Sequence, residues 1–159
     1  FDQAKRFAKA GGVIDICSNY EVERLGHDGM ISPLEAMREM LADGLPGNLM
    51  TMSSDGNGAH PAPDAKRSIY TPVSSMWDKI VEMVHGGVPL ETCLPLVTQN
   101  PARISGLGGR KGTISEGADA DLVFLDKDFS IDRVMARGRT VVEGGSPTVR
   151  NQFENLWPA

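Results

Sequence analysis

The stretch MTMSSDGNGAHP (residues 50–61) places a carboxylate where an apolar, strand-like run ends. Asp55 is followed directly by two glycines that flank an asparagine, so the backbone there carries few bulky side chains. Parallel α/β folds carry their chemistry at the carboxyl ends of strands, where a carboxylate can bind a metal or act as a general base. Asp and Asn also favour polar turns, because their side chains hydrogen-bond to nearby backbone. The local pattern alone leaves both interpretations open.

The other residues with reactive side chains do not form a site by their spacing. Three histidines are scattered along the chain without a paired His-x-His arrangement: His27, His60 and His85. His60 is nearest to Asp55, and it either lines the same pocket or is a solvated loop residue. No serine stands in a G-x-S-x-G context. Cys17 and Cys93 lie in apolar segments and are predicted to be buried free thiols, which indicates a reducing compartment.

The elements that would position Asp55 alternate between helix and strand, as in a parallel sheet built from βαβ units. In chain order they are a helix ending at Gly11-Gly12, the strand VIDICS, a helix opening at a Ser32–Glu35 capping box, the strand LMTMSS, and helices within residues 74–87 and 89–106. Residues 18–31 and 56–73 are predicted to be loops. From about Arg110, short apolar runs separated by glycine turns predict antiparallel β structure.

Two helices show apolar stripes that predict their buried faces. The predicted stripes are Leu34, Met37, Met40 and Leu41 on one helix, and Trp77, Ile80, Val81 and Val84 on the other. The chain also begins at Phe1 within a helical pattern, so we expect a piece of a longer protein.

Composition limits the class of protein. Hydrophobic residues make up 40% of the 159 residues and charged residues 23%, which is typical of a soluble globular chain. The net charge of −5 and the lack of a basic cluster argue against nucleic acid as a partner. No apolar run approaches the roughly 20 residues that span a bilayer, and no signal peptide is visible. We therefore expect a cytoplasmic protein with no membrane partner.

A long segment near the carboxyl end resembles the amidohydrolase superfamily. The matching residues are Asn100, Pro101 and Ala102, then Gly112, Ile114, Gly117, Asp119, Ala120, Asp121, Leu122 and Val123. The stretch TMSSDGNG after GGVIDICS further resembles the isoaspartyl dipeptidases (β-aspartyl peptidases) within that superfamily. Together these resemblances cover essentially the whole chain.

The resemblance implies a fold. The class is α/β: residues 1–109 would be the C-terminal portion of a metal-dependent (β/α)8 barrel, with VIDICS as strand seven and LMTMSS as strand eight. Residues 110–159 would form part of a small β-sandwich and a C-terminal tail. Asp119 and Asp121 would then be turn residues of the sandwich with no catalytic role.

The resemblance also implies a site. Asp55 would be both a ligand of a binuclear zinc centre and the catalytic proton shuttle, taking a proton from a zinc-bridging hydroxide and passing it to the leaving amine. The other family ligands, a His-x-His pair, a carboxylated lysine and two histidines, belong to strands one to six, upstream of residue 1. Ala59 stands where the family has a serine that contacts the substrate carboxylate, so either that contact is lost or a backbone group or His60 replaces it.

The implied activity is hydrolysis of the amide bond of β-aspartyl dipeptides. Two alternatives stay open: another amidohydrolase acting on cyclic amides or N-acyl amino acids, and a non-catalytic fragment that lacks the upstream metal ligands. The expected partners are a small dipeptide substrate, the upstream remainder of the barrel, and further copies of the chain in a homo-oligomer.

Overall fold

The computed structural model describes residues 1–19, 31–56, 59–61, 68–70 and 72–149. The chain divides into two compact units, residues 1–108 and residues 109–159. Most of the predicted loop 18–31, with His27, lies outside the described residues. No helix in the described part of the chain is long and apolar enough to cross a membrane.

Two parallel strands, each preceded by a helix, organise the first unit. These elements are α1 (Asp2–Lys9), β1 (Ile14–Cys17), α2 (Pro33–Ala42), a 3₁₀ turn (Gly47–Leu49) and β2 (Met50–Ser53). The strands pair in parallel, from Ile14 opposite Met50 to Cys17 opposite Ser53. Parallel strands need a crossover between them, and α2 lies in that connection. The parallel pairing predicted from the alternating pattern is therefore confirmed.

Local capping chemistry starts α2 where the sequence predicts. The Ser32 hydroxyl accepts a hydrogen bond from the Glu35 amide at 3.2 Å, and the Glu35 carboxylate accepts one from the Ser32 amide at 3.1 Å. These reciprocal bonds satisfy two amides that have no partner within the helix. The Ser32 hydroxyl and amide, which donate to the Glu35 carboxylate, lower its pKa.

Short elements complete the first unit. They are β3 (Ala59–Pro61), β4 (Ser68–Tyr70), α3 (Ser75–His85), α4 (Leu90–Cys93), a 3₁₀ turn (Leu94–Leu96) and α5 (Gln99–Ile104). β3 and β4 form an antiparallel hairpin inside the segment 56–73, which was predicted to be loop throughout. Strands of three residues are too short for the two-residue alternation to show in the sequence.

The core lies between the helices and one face of the β1–β2 pair. Its fully buried side chains are Met37, Met40, Met50, Ile80, Met83, Cys93 and Leu96. Each predicted stripe is wrong at one residue: Leu41 is 38% exposed, and Met83 rather than Val81 belongs to the buried set. Successive helical residues turn by about 100°, so a residue at the margin of an apolar arc changes from buried to exposed with a small rotation.

The second unit is a four-stranded antiparallel sheet, as the sequence predicts. Its strands, in sheet order, are β5 (Leu122–Leu125), β6 (Ile131–Ala136), β7 (Arg139–Glu143) and β8 (Ser146–Pro147). None of residues 109–149 is buried, and Val123 and Phe124 are 56% and 43% exposed. A second layer that covers this sheet stays a prediction.

Candidate active site at the carboxyl end of the parallel strands

The β1–β2 pair has one apolar and one polar face. Successive side chains of a strand point to opposite sides, and the core side takes Ile16, Met50 and Met52. The opposite side therefore carries four polar or thiol side chains: Asp15, Cys17, Thr51 and Ser53. Asp55 follows two residues after the end of β2, at the carboxyl ends of both strands.

Asp15 joins the two strands across this polar face. Its Oδ1 accepts a hydrogen bond from Thr51 Oγ1 at 2.6 Å, and its Oδ2 accepts one from Ser53 Oγ at 2.5 Å. Each carboxylate oxygen thus accepts from a different hydroxyl of β2, and the residues that carry these hydroxyls, Thr51 and Ser53, are neighbours on the same face of that strand. Asp15 therefore acts as a clasp that holds β2 in register with β1.

The backbone at Asp55 turns sharply. Its φ is +46°, in the left-handed region that is costly for most L-residues but accessible to Asp. The next residue, Gly56, donates its amide to Ser54 Oγ at 3.1 Å. A Cβ on Gly56 would lie 2.5 Å from a methyl carbon of Val73, so this position accepts only glycine without a shift. The glycine that follows Asp55 is explained by this close approach.

Cys17 contacts Asp55 directly. The thiol donates a hydrogen bond to Asp55 Oδ2 with an Sγ–Oδ2 distance of 3.3 Å. Burial raises the pKa of the Cys17 thiol to about 11, and the adjacent Asp55 carboxylate acts in the same direction. The thiol therefore stays protonated at neutral pH and is a donor. The predicted free thiols are confirmed, but Cys17 is only half-buried, whereas Cys93 lies in the core.

Ser18, the residue after β1, is held by hydrogen bonds of both its backbone amide and its side-chain hydroxyl. The Ser18 amide donates to the Ser53 carbonyl at 2.8 Å, which extends the strand pairing by one residue. The Ser18 hydroxyl lies 2.9 Å from the hydroxyl of Ser75, the first residue of α3. Ser18 itself is 1% exposed. Cys17 therefore sits on a backbone that has little freedom to move.

The other sequence candidates fall at scattered places. Ala59 and His60 belong to β3, but their side chains lie outside the described part of the structure. His85 is the last residue of α3. The substrate role of Ala59 therefore stays a prediction.

The Asp-Ala-Asp segment is engaged in ion pairs within the second unit. Lys111 Nζ lies 3.1 Å from Asp119 Oδ2 and also pairs with Asp121 Oδ2, and the Asp121 Oδ1 accepts a 2.7 Å hydrogen bond from the Arg137 amide. The hydrogen bonds from Lys111 lower the pKa of both aspartates. These contacts agree with a role in holding turns.

Among the described residues of this site, Asp55 is suited to be one ligand of a metal centre. Within the described residues, no three His, Cys, Asp or Glu side chains are grouped closely enough to hold a metal ion. Asp55 nevertheless suits one position in such a centre: its carboxylate is exposed at the carboxyl end of parallel strands and accepts a hydrogen bond from the Cys17 thiol. A zinc centre takes about three or more protein ligands, so the remaining ligands would come from outside the described residues.

Three contributors to this region were not assigned from the sequence. The sequence predicts Asp15 only as part of a strand, Cys17 only as a buried free thiol, and Asn100 only as part of a motif. Alternation along β1 puts Asp15 and Cys17 on one face, and this signal was available. Their partners depend on the register with β2, which the sequence does not state.

The comparisons with known proteins agree with this architecture. A family model described as "Amidohydrolase family" matches residues 1–148. The chain therefore belongs to the amidohydrolase family, and the resemblance noted in the sequence is confirmed.

Among solved structures, the chain is similar to the β-aspartyl dipeptidase of Fervidobacterium islandicum AW-1 in complex with β-Asp-Leu dipeptide. The identity is 32%, the TM-score is 0.79, and the match covers 95% of this chain and 38% of that one. Two curated relatives are the L-hydantoinase of Paenarthrobacter aurescens and the N-substituted formamide deformylase of Arthrobacter pascens. The L-hydantoinase is 27% identical over 69% of this chain and 27% of its own length. The deformylase is 35% identical over 42% of this chain and 14% of its own length. The chain thus spans well under half of each relative.

Proposed function

We propose that this chain is the C-terminal portion of a zinc-dependent hydrolase that cleaves the amide bond of β-aspartyl dipeptides. In this proposal residues 1–109 contribute the last two strands of a (β/α)8 barrel, and residues 110–159 contribute part of a β-sandwich. The observation that carries it is the position of Asp55, an exposed carboxylate just beyond the carboxyl end of β2. Similarity to the β-aspartyl dipeptidase over 95% of the chain supports the substrate class.

Asp55 has two roles in this proposal. Its carboxylate is one ligand of a two-zinc centre whose other ligands come from the rest of the barrel. Zinc at such a centre supplies Lewis acidity that activates water and polarises the substrate carbonyl. The Asp55 carboxylate takes up a proton and delivers it to the amide nitrogen as the C–N bond breaks, because an amine leaves only when it is protonated.

The surrounding residues hold Asp55 ready for this role. The Asp15 clasp joins β2 to β1, and the Cys17 thiol donates a hydrogen bond to the Asp55 carboxylate. Gly56 lies where a Cβ would meet a methyl carbon of Val73, so glycine is the residue that fits directly after Asp55. The predicted contact of the substrate with residue 59 or His60 belongs to the same site. The cytoplasmic location and the homo-oligomeric state stay predictions.

The test is turnover of β-Asp-Leu by the full-length enzyme and its Asp55→Asn variant. We expect the variant to lose about 10²- to 10⁴-fold in kcat, the range for removal of a general acid–base. Asp78→Asn, on the exposed side of α3, is the matched control and should be unchanged. An Asp55→Asn enzyme within a few-fold of wild type would show that the proton carrier lies elsewhere.

Hydrolysis of cyclic amides is the second candidate, because the L-hydantoinase aligns with more than two thirds of the chain. A hydantoin assayed beside β-Asp-Leu separates the two substrate classes. Wild-type enzyme that opens the hydantoin and leaves the dipeptide intact would move the assignment to this class. Asp55 would keep the same role in either case.

A further inference from the structure

We propose that Cys17 is a positioning residue for Asp55: its thiol, by donating to Asp55 Oδ2, sets the rotation of the carboxylate that carries the proton. This inference rests on the proposed function of Asp55. The contact joins residues 38 positions apart and crosses from β1 to the turn after β2. Cys17 touches neither substrate nor metal in this proposal and acts through Asp55.

The thiol is the fixed partner of this pair. Cys17 is flanked by Ile16, which is 7% exposed in the core, and by Ser18, which is 1% exposed and bonded to both Ser53 and Ser75. Asp55 is exposed and lies on a turn with a left-handed backbone. A hydrogen bond between an anchored donor and a residue on an exposed turn constrains the turn residue.

The carboxylate needs such a constraint. The terminal torsion of an Asp side chain is broad, so the rotamer alone does not set the plane of the carboxylate. Catalytic groups must be held within about 10–20° of their productive orientation by neighbouring hydrogen bonds. The Cys17 contact defines one edge of the Asp55 carboxylate and thereby restricts that torsion.

The other acidic residue of the polar face does not serve this purpose. Both oxygens of Asp15 bind hydroxyls of β2, at Thr51 and Ser53, so Asp15 supports the strand. Cys17 is the residue of β1 whose side chain contacts Asp55.

The kinetic test uses full-length enzyme with Cys17→Ala, Cys17→Ser and, as a thiol control in the core, Cys93→Ala. Loss of a residue that orients a ligand typically costs about 10- to 100-fold in activity or metal affinity, and a thiol is a weak donor, so we expect about a ten-fold lower kcat for Cys17→Ala. KM should be unchanged, because substrate binding is not altered. Release of zinc to a chelator should be faster. Cys17→Ser keeps a hydrogen-bond donor, so its kcat and its rate of zinc release should be close to those of wild type. Cys93→Ala should change neither kcat nor zinc release.

A spectroscopic test does not depend on activity. The S–H stretching band of Cys17, identified by its loss in Cys17→Ser, should move to higher frequency in Asp55→Ala, because the acceptor is gone. This measurement is made on folded enzyme with Cys17 intact, so it holds even if Cys17→Ala does not fold. An S–H band at the same frequency in wild type and Asp55→Ala would show that the Cys17 thiol does not donate to Asp55, and would overturn the proposal.

The outcomes separate this inference from the function on which it rests. If Asp55→Asn is inactive while Cys17→Ala keeps the kcat and the zinc release rate of wild type, the positioning role is wrong and the proposed function stands. If wild-type enzyme leaves β-Asp-Leu intact, or Asp55→Asn stays active, the proposed function fails and the positioning role fails with it.

Discussion

Asn100 Nδ2 donates a 2.7 Å hydrogen bond to the carbonyl oxygen of Met50, the first residue of the strand that leads to Asp55. The same nitrogen donates to the carbonyl of Gly47 at 2.8 Å. Asn100 is 2% exposed and its bond to Met50 is buried, so the Met50 carbonyl relies on this side chain in place of water. The Asn-Pro-Ala segment of α5 is thus tied to the entrance of β2, and the motif has a structural explanation.

Replacing Asn100 should therefore loosen the start of β2. Asn100→Asp exchanges the donor for a carboxylate that faces two carbonyl oxygens, and we expect a loss of about 3 kcal/mol or more in the free energy of unfolding, against about 2 kcal/mol for Asn100→Ala. Urea unfolding of the full-length enzyme measures both. Asn48→Asp, at an exposed asparagine, is the control and should stay within about 0.5 kcal/mol of wild type. Equal effects of the two Asp variants would contradict this role of Asn100.

What the sequence predicts well is local. The Ser32–Glu35 capping box involves residues three apart, so its hydrogen bonds follow from the order of the residues themselves. Asp55 was also found from local pattern, as a carboxylate at the end of an apolar strand. Its family role came from motif resemblance, because a polar turn has the same local composition.

What the sequence does not predict is the partner of each polar residue. The contact between Asn100 and Met50 spans 50 positions, and that between Cys17 and Asp55 spans 38. The contact between Cys17 and Asp55 exists only once β1 and β2 pair in one particular register, and a shift of one residue would turn Cys17 to the opposite face. The buried face of α3 shows the same limit, since packing rather than the apolar count selects Met83 over Val81.

The left-handed backbone conformation at Asp55 should affect the stability of variants at this position. We expect Asp55→Gly to be more stable than Asp55→Ala by about 1 kcal/mol, because glycine adopts φ +46° without the cost of a Cβ. Both variants lack the carboxylate and should be inactive. Urea unfolding of the two variants, each stripped of metal, gives the comparison.

The matched pair for this comparison is Ser53→Gly and Ser53→Ala within β2. In an extended strand glycine is the less stable residue by about 0.5–1 kcal/mol, so the order should reverse. An Asp55→Ala variant as stable as Asp55→Gly would mean that residue 55 relaxes to a different backbone conformation in solution.

The Asp15 clasp should couple energetically to the hydroxyls it binds. We expect Asp15→Ala and the double change Thr51→Val with Ser53→Ala each to lower stability, and their combination to cost less than the sum. The coupling free energy should be about 1 kcal/mol, since these are hydrogen bonds to a carboxylate on an exposed face. A double-mutant cycle measured by urea unfolding supplies the value. Strict additivity would show that the clasp does not form in solution.

The cluster of Lys111, Asp119 and Asp121 should make the second unit sensitive to acid. Hydrogen bonds from Lys111 lower the pKa of both aspartates below their ordinary value of 3.8. A carboxyl group with a lowered pKa in the folded state stabilises that state above its unfolded pKa, and this contribution is lost as the pH falls through the folded value. Hydrogen-exchange protection of residues 119–143 should therefore be full at neutral pH and decline below about pH 3.8.

Substitutions at Asp121 separate this structural role from a role in the site. Asp121→Asn keeps an oxygen that can accept from the Arg137 amide and loses the charge pair with Lys111, whereas Asp121→Ala loses both. Protection of residues 119–143 should fall further in Asp121→Ala than in Asp121→Asn, and Lys111→Met should make protection less dependent on pH. Zinc content and kcat of the folded full-length variants should match wild type, because these contacts lie within the sheet unit. A folded Asp121→Asn enzyme that loses its metal would place Asp121 in the metal centre and remove the grounds for assigning this segment to the sandwich alone.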